Sequence, residues 1–162
     1  MLRNEAQAEL FRELESMPDF LAVTFSSLTR EEALTPGPEG PFSPVEHCWH
    51  LADLERLGYR VRIERLREEL DPHLPDFDGA RVAREREYRK LSLAEGIETF
   101  RRARLENLES FRSLEPQEWL RTGSQEGVGR IALCDLPSMI AEHDLSHQAE
   151  IREWAEAYRR PR

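Results

Sequence analysis

An all-α four-helix bundle is the fold class this sequence predicts. Four tracts repeat apolar residues at helical spacing, proline- and glycine-rich segments separate them, and no alternating β-rich tract competes. The first helix is expected from about Asn4 to Leu28, with Leu10, Phe11, Leu14, Met17, Leu21, Phe25 and Leu28 near one face. Pro18 should kink it or split it in two, because proline lacks the amide proton that an interior turn needs. The segment Thr35–Pro44, TPGPEGPFSP, then stops the helix.

The second helix has a legible start. Ser43 can accept from the backbone, Pro44 suits the first helical position, and Glu46 completes a capping box. It should run to about Leu70, ahead of Asp71–Pro75. The third opens on Ser92 and Glu95, another capping box, and reaches about Leu114. For the fourth, Asp135 is the expected cap and Pro137 lies in the first turn, with the end near Tyr158. About twenty residues join helices two and three, long for a tight turn, so they are expected to cross along the bundle and leave the two helices parallel. The tract ARVAREREYR within this link has the look of an extra short helix.

The length of 162 residues suits a single domain over 1–162. A net charge of −9 disfavours nucleic acid, whose binding rests on cationic contacts to phosphate. No apolar run approaches the roughly 20 residues of a membrane span, and the charged N-terminus does not read as a secretory signal. Cys48 and Cys134 are far apart with no CxxC pair, which argues against a disulfide or a thiolate zinc site. A cytoplasmic protein is the expectation.

The histidines carry the chemistry. In helix four, Leu136, Ile140, His143, His147, Ile151, Trp154 and Tyr158 follow one another by three or four residues, so both histidines face the core, one turn apart. In helix two, His50 shares an arc with Leu54, Leu57 and Val61, and His47 lies at its edge. A lone histidine on an apolar face is usually a core residue; three inward imidazoles are harder to bury, because each brings a polar N–H and a lone pair. A metal ion would accept those lone pairs, and three protein ligands would leave a position open to water or substrate. The tract His143-Asp144-Leu145-Ser146-His147 resembles HExxH but has Asp144 in place of the glutamate base, and no Glu-x-x-His pairs mark a di-iron bundle.

Three stretches, in this order and spacing, resemble the DinB-like (DinB/YfiT) superfamily: FSPVEHCWHLADLE (Phe42–Glu55), WLRTGSQEGVGRIAL (Trp119–Leu133) and AEHDLSHQAEI (Ala141–Ile151). The resemblance implies an up-down-down-up bundle and a divalent metal, zinc or nickel, on three histidines. The match falls on His50, His143 and His147, with His47 able to replace or assist His50. It also implies a small-molecule substrate, thiol S-transferase or hydrolase chemistry with a low-molecular-weight thiol as one co-reactant, and a homodimer. The alternative is a non-catalytic bundle that binds metal or ligand for stability or sensing.

Other polar residues near these stretches are candidates for support. Asp53 could orient an imidazole as an acceptor. Arg104, central on the apolar face of helix three, could hold an anionic substrate group; the simpler alternative is snorkelling or pairing with a glutamate. The glycine-rich loop with Gly123, Gly127 and Gly129 could border the site mouth, with Trp119 and Arg121 nearby. Asp144 is expected to face solvent or a neighbouring helix, Cys48 to point away from His50, and His73 to be exposed.

Overall fold

A computed structural model describes residues 2–38 and 42–158. Its rods are α1 (Leu2–Phe25), α3 (Pro44–Asp53) continued by a π-helical turn (Leu54–Tyr59) into α4 (Arg60–Glu68), α6 (Leu93–Arg112) and α7 (Leu136–Tyr158). Between the first two lies the short α2 (Arg30–Ala33), and α5 (Gly79–Arg86) occupies the long link, followed by a 3-10 turn at Tyr88–Lys90. The fold is all-α in class, and the four expected helices are present.

Local chemistry explains the boundaries. Ser43 Oγ accepts from the Glu46 amide at 3.4 Å, and the Glu46 carboxylate accepts in return from the Ser43 amide at 3.3 Å. Thr29 and Glu32 make the same reciprocal pair on α2, a helix that the periodicity did not show. Ser92 Oγ accepts from the Glu95 amide, so its half of the expected box forms. The fourth helix begins differently from expectation. A 3-10 turn at Leu133–Asp135 leads into α7, and the Asp135 carboxylate accepts from the Ala132 amide.

Pro18 does not split α1, which runs unbroken through it. Proline cannot donate to the carbonyl four residues back, so Leu14 O is freed; Arg104 Nη1 donates to that oxygen at 2.8 Å. A side chain from α6 thus replaces the bond that the ring removes.

The expectation of no strand is corrected. Three short strands, β1 (His73–Leu74), β2 (Thr122–Gln125) and β3 (Gly129–Ala132), form a sheet in that order, β1 parallel and β3 antiparallel to β2. The glycine-rich loop is therefore a hairpin, turning through Gly127 at φ 78°. Its strands were illegible because TGSQ and GRIA offer little apolar alternation. A Cβ at Gly123 would lie 2.6 Å from the Pro72 carbonyl oxygen and 2.9 Å from Leu66 Cδ2. Gly123→Ala is expected to lower unfolding free energy by about 1–3 kcal/mol, read from the urea midpoint.

Contacts set the relation of the rods. Along α3–α4 and α6 they ascend together: Trp49 Nε1 donates to Ser92 O, Arg104 to Glu55, Asn107 to Glu55 O, and Arg60 to Glu106. Between α1 and α6 they run in opposite senses, Arg101 pairing with Asp19, and Phe111 stacking on Phe11. One apolar cluster gathers Leu14, Leu66, Leu108, Phe111, Leu136 and Ile140; the other gathers Met17, Leu21, Trp49, Phe100, Ile151 and Trp154. The histidines of α3 and α7 face each other alongside this core.

Candidate metal centre

The α7 spacing stacks His143 and His147 one turn apart, with ring centroids 4.5 Å from each other. His50, in α3, brings its ring within 5.1 Å of His147 and 5.9 Å of His143. Each of the three offers a nitrogen, and these nitrogens all lie within 4.8 Å of one another. A second group shares His147 and adds His47 and Glu150. There His47 Nδ1 and His147 Nδ1 are 3.2 Å apart, and His47 Nε2 is 3.8 Å from the Glu150 carboxylate.

The donor set fits a divalent metal. Nδ1 of His50 and of His143 are buried and without a hydrogen-bond partner among the described residues, a costly state that ligation or a bound polar group relieves. Neutral imidazole is the form that ligates, and burial holds all four rings neutral. Burial, reinforced by neighbouring imidazoles, pushes His47 and His50 down to about 4 and His147 to about 2. It lowers His143 too, with Arg104 and Arg62 adding to the effect and Asp144 opposing it.

These directions fix a pH dependence for metal-free protein. The four folded values lie below the ordinary 6.5, so between the two the unfolded chain binds more protons. This stability is fully present above about pH 6.5 and is lost as pH falls toward the folded values. Glu55 and Glu150, raised by burial, act in the opposite sense, two groups against four. The urea midpoint is expected to fall steadily from pH 7 to about pH 5; a flat profile contradicts a neutral imidazole cluster.

A cavity of about 450 Å³ opens beside the histidines, lined by His50, His143, Tyr59, Arg62, Phe77 and Gln125 among others. The loop before α7 reaches it through Gln125 on β2, while Trp119 stacks on Phe111 elsewhere. Gly79, at the start of α5, packs so closely on His50 that a Cβ there would lie 2.9 Å from Cε1.

The supporting candidates go elsewhere. Asp53 is fully buried, but its oxygens accept from Arg56, from Arg86 at 2.6 Å and from the Tyr88 hydroxyl at 2.8 Å; they tie down the α5 link and do not touch an imidazole. Arg104 neither snorkels nor faces the cavity. It donates to Glu55, to both oxygens of Asp144 at 2.7 and 2.9 Å, and to Leu14 O. Asp144 therefore faces a neighbouring helix and is buried. Arg121 donates to Leu66 O and Glu69 O at the end of α4, closing a helix terminus away from the histidines. Cys48 is buried and its thiol is pushed up by burial, unsuited to nucleophilic work. His73 is exposed and meets Ser124 Oγ.

A family model described as the DinB superfamily matches residues 13–151, a span holding both histidine groups. The chain belongs to the DinB superfamily. Among solved structures, YfiT from Bacillus subtilis, described as a probable metal-dependent hydrolase with an unusual four-helix bundle topology, is similar with a TM-score of 0.85. The identity is 19%, over 94% of this chain and 87% of that one. The mycothiol-dependent maleylpyruvate isomerase gives a TM-score of 0.71 at 10% identity, over 89% of this chain and 60% of its own length. At such identities the likeness is one of fold. No curated protein matches the sequence.

Within this DinB-superfamily bundle, sequence reasoning missed Tyr59, Arg62 and Gln125. Arg62 sits in the tract YRVRIERLRE, which reads as a charged surface. The π-helical turn just before it, about 4.4 residues per turn instead of 3.6, advances the buried face. Leu57 and Val61, expected inward, are 50% and 38% exposed, and Tyr59, Arg62 and Ile63 are buried in their place.

Proposed function

We propose that this protein is a mononuclear metal-dependent enzyme acting on a small molecule, of thiol S-transferase or hydrolase type. His50, His143 and His147 would hold a divalent ion, zinc or nickel. When bound, such an ion with a position open to solvent draws the pKa of a bound water or thiol toward neutrality. The observation that carries the reading is the meeting of three neutral imidazoles, two of which, His50 and His143, have unpartnered Nδ1 atoms and line a substrate-sized cavity. A structural metal site normally closes its ligand sphere with four protein ligands; this one abuts open volume.

The residues around the metal ligands have separable tasks. Phe77 and Gly79 pack the His50 ring, fixing its aim. Tyr59 sets its ring edge-on to His143 at 6.4 Å, and burial keeps its phenol protonated, a neutral O–H at the cavity wall. His47 meets His147 Nδ1, which leaves Nε2 of that ring for the metal. The contact orders given above support the up-down-down-up arrangement. The single domain 1–162 and the homodimer are kept from the sequence reading and the family. Location in the cytoplasm is supported by two free cysteines, one of them exposed. No helix among the described residues is long and apolar enough to cross a membrane.

The test is a turnover screen of zinc- and nickel-loaded protein. Thiol addition to electrophiles and hydrolysis of activated esters and amides are followed beside His147→Ala. Turnover lost in that variant supports the reading. Metal-loaded protein that turns over nothing, while its melting temperature tracks metal, favours the non-catalytic bundle.

A further inference from the structure

Among the described residues the bundle buries two arginines, and they differ in one respect. Arg104, 2% exposed, is matched by the carboxylates of Glu55 and Asp144. Arg62, 7% exposed, lines the cavity beside His143 and has no ion pair or hydrogen bond among the described residues. Its guanidinium lies over the Tyr59 ring at 5.5 Å, a contact that offsets only part of the cost of burying a charge. With no carboxylate paired to it among the described residues, this charge is met by whatever fills the cavity, water or an anion brought from outside. The same wall carries a second incomplete group. Gln125, also 7% exposed, makes no side-chain hydrogen bond among the described residues; its unpartnered Oε1 is an acceptor that water or a ligand O–H or N–H would meet, while its NH2 is free to donate to an anion. The acidic residues that line this cavity, Asp76 and Glu142, are exposed and make no ion pair with Arg62 among the described residues. Among the described residues that line the cavity, Arg62 is the one arginine or lysine.

Resting on the metal-enzyme reading above, we infer that the substrate carries an anionic oxygen group, a carboxylate or a like oxyanion, which Arg62 binds with the Gln125 amide as a second donor, while the reacting end of the molecule lies toward the histidines. The planar guanidinium suits two oxygens at once, and the Gln125 NH2 gives a further donor on that wall. The sequence offered Arg104 for such a role beside the simpler reading of pairing with a glutamate, and the pairing with Glu55 is what forms. The structure saturates Arg104 inside the core and leaves Arg62 free to take it.

The experiment uses full-length protein loaded with cobalt(II), whose absorption reports thiolate ligation. It is titrated with ω-mercaptocarboxylates from mercaptoacetate to mercaptohexanoate, each beside its own neutral amide. At the chain length that spans the cavity, the carboxylate is expected to bind at least about tenfold tighter than its amide. Arg62→Gln should reduce that preference to within about twofold, and Arg62→Lys should restore part of it by charge alone. Neither change should alter cobalt stoichiometry or the affinity of the amides. No carboxylate binding tighter than its amide, or a preference that survives Arg62→Gln, overturns the inference alone. Failure of wild-type protein to bind cobalt is visible before any thiol is added, and it overturns the metal reading and the inference with it.

Discussion

Replacing Arg104 with methionine is expected to cost about 3–5 kcal/mol of stability. Arg104 is where all four rods meet: it reaches Leu14 of α1, Glu55 of the π-helical turn and Asp144 of α7 from its own position on α6. The substitution keeps much of the side-chain volume but leaves two buried carboxylates facing each other and the Leu14 carbonyl unbonded. The pH dependence of the loss follows. Burial already raises Glu55 and Arg104 opposes that rise, so removing the arginine lifts the carboxyl further. A group whose folded pKa is raised adds stability that is present at low pH and lost as pH rises through it. The gap in urea midpoint between variant and wild type should therefore narrow on acidification from pH 7 to about pH 5. Removing both carboxylates along with the arginine, as Glu55→Leu and Asp144→Leu, should recover most of the loss. A single Arg104→Met change costing under about 1 kcal/mol would contradict the network.

The second large effect concerns metal. His147 belongs to both histidine groups, so His147→Ala is expected to lower metal affinity by at least about 100-fold. His50→Ala and His143→Ala should do the same, whereas His47→Ala should retain stoichiometric metal with an affinity lowered by about tenfold, since it loses only the partner of His147 Nδ1. The order is diagnostic. Metal kept in His50→Ala but lost in His47→Ala would move the site to His47, His147 and Glu150. Equilibrium dialysis against a competing chelator reads these affinities directly.

What the sequence showed and what it hid have physical causes. Capping chemistry is local, so Ser43, Pro44 and Glu46 announced the start of α3, and the strict three-and-four spacing of α7 put His143 and His147 on one inward face. The long link between helices two and three suggested a crossover with the two helices parallel, and the apolar arc of helix two put His50 on the inward face. The π-helical turn was hidden because one extra residue in a turn leaves no compositional mark, yet it decides that Arg62 faces the cavity and Val61 faces solvent. Buried charges were hidden for another reason. Periodicity places Asp53, Glu55, Arg104 and Asp144 on faces but cannot tell a charge that reaches water from one that meets a countercharge from a distant helix. The same limit made Pro18 read as a kink or a split, since its compensation comes from a residue far along the chain. The β2–β3 hairpin rests on backbone pairing among glycine, serine and threonine, which carry no hydrophobic alternation.

Diffraction from crystals of zinc- or nickel-loaded protein, recorded on both sides of the metal absorption edge, tests the central claim most directly. A single anomalous peak is expected about 2.0–2.1 Å from one nitrogen each of His50, His143 and His147, with a remaining position facing the cavity. Fully loaded crystals with no peak among these three rings, or with the peak bracketed by His47 and Glu150, would contradict it.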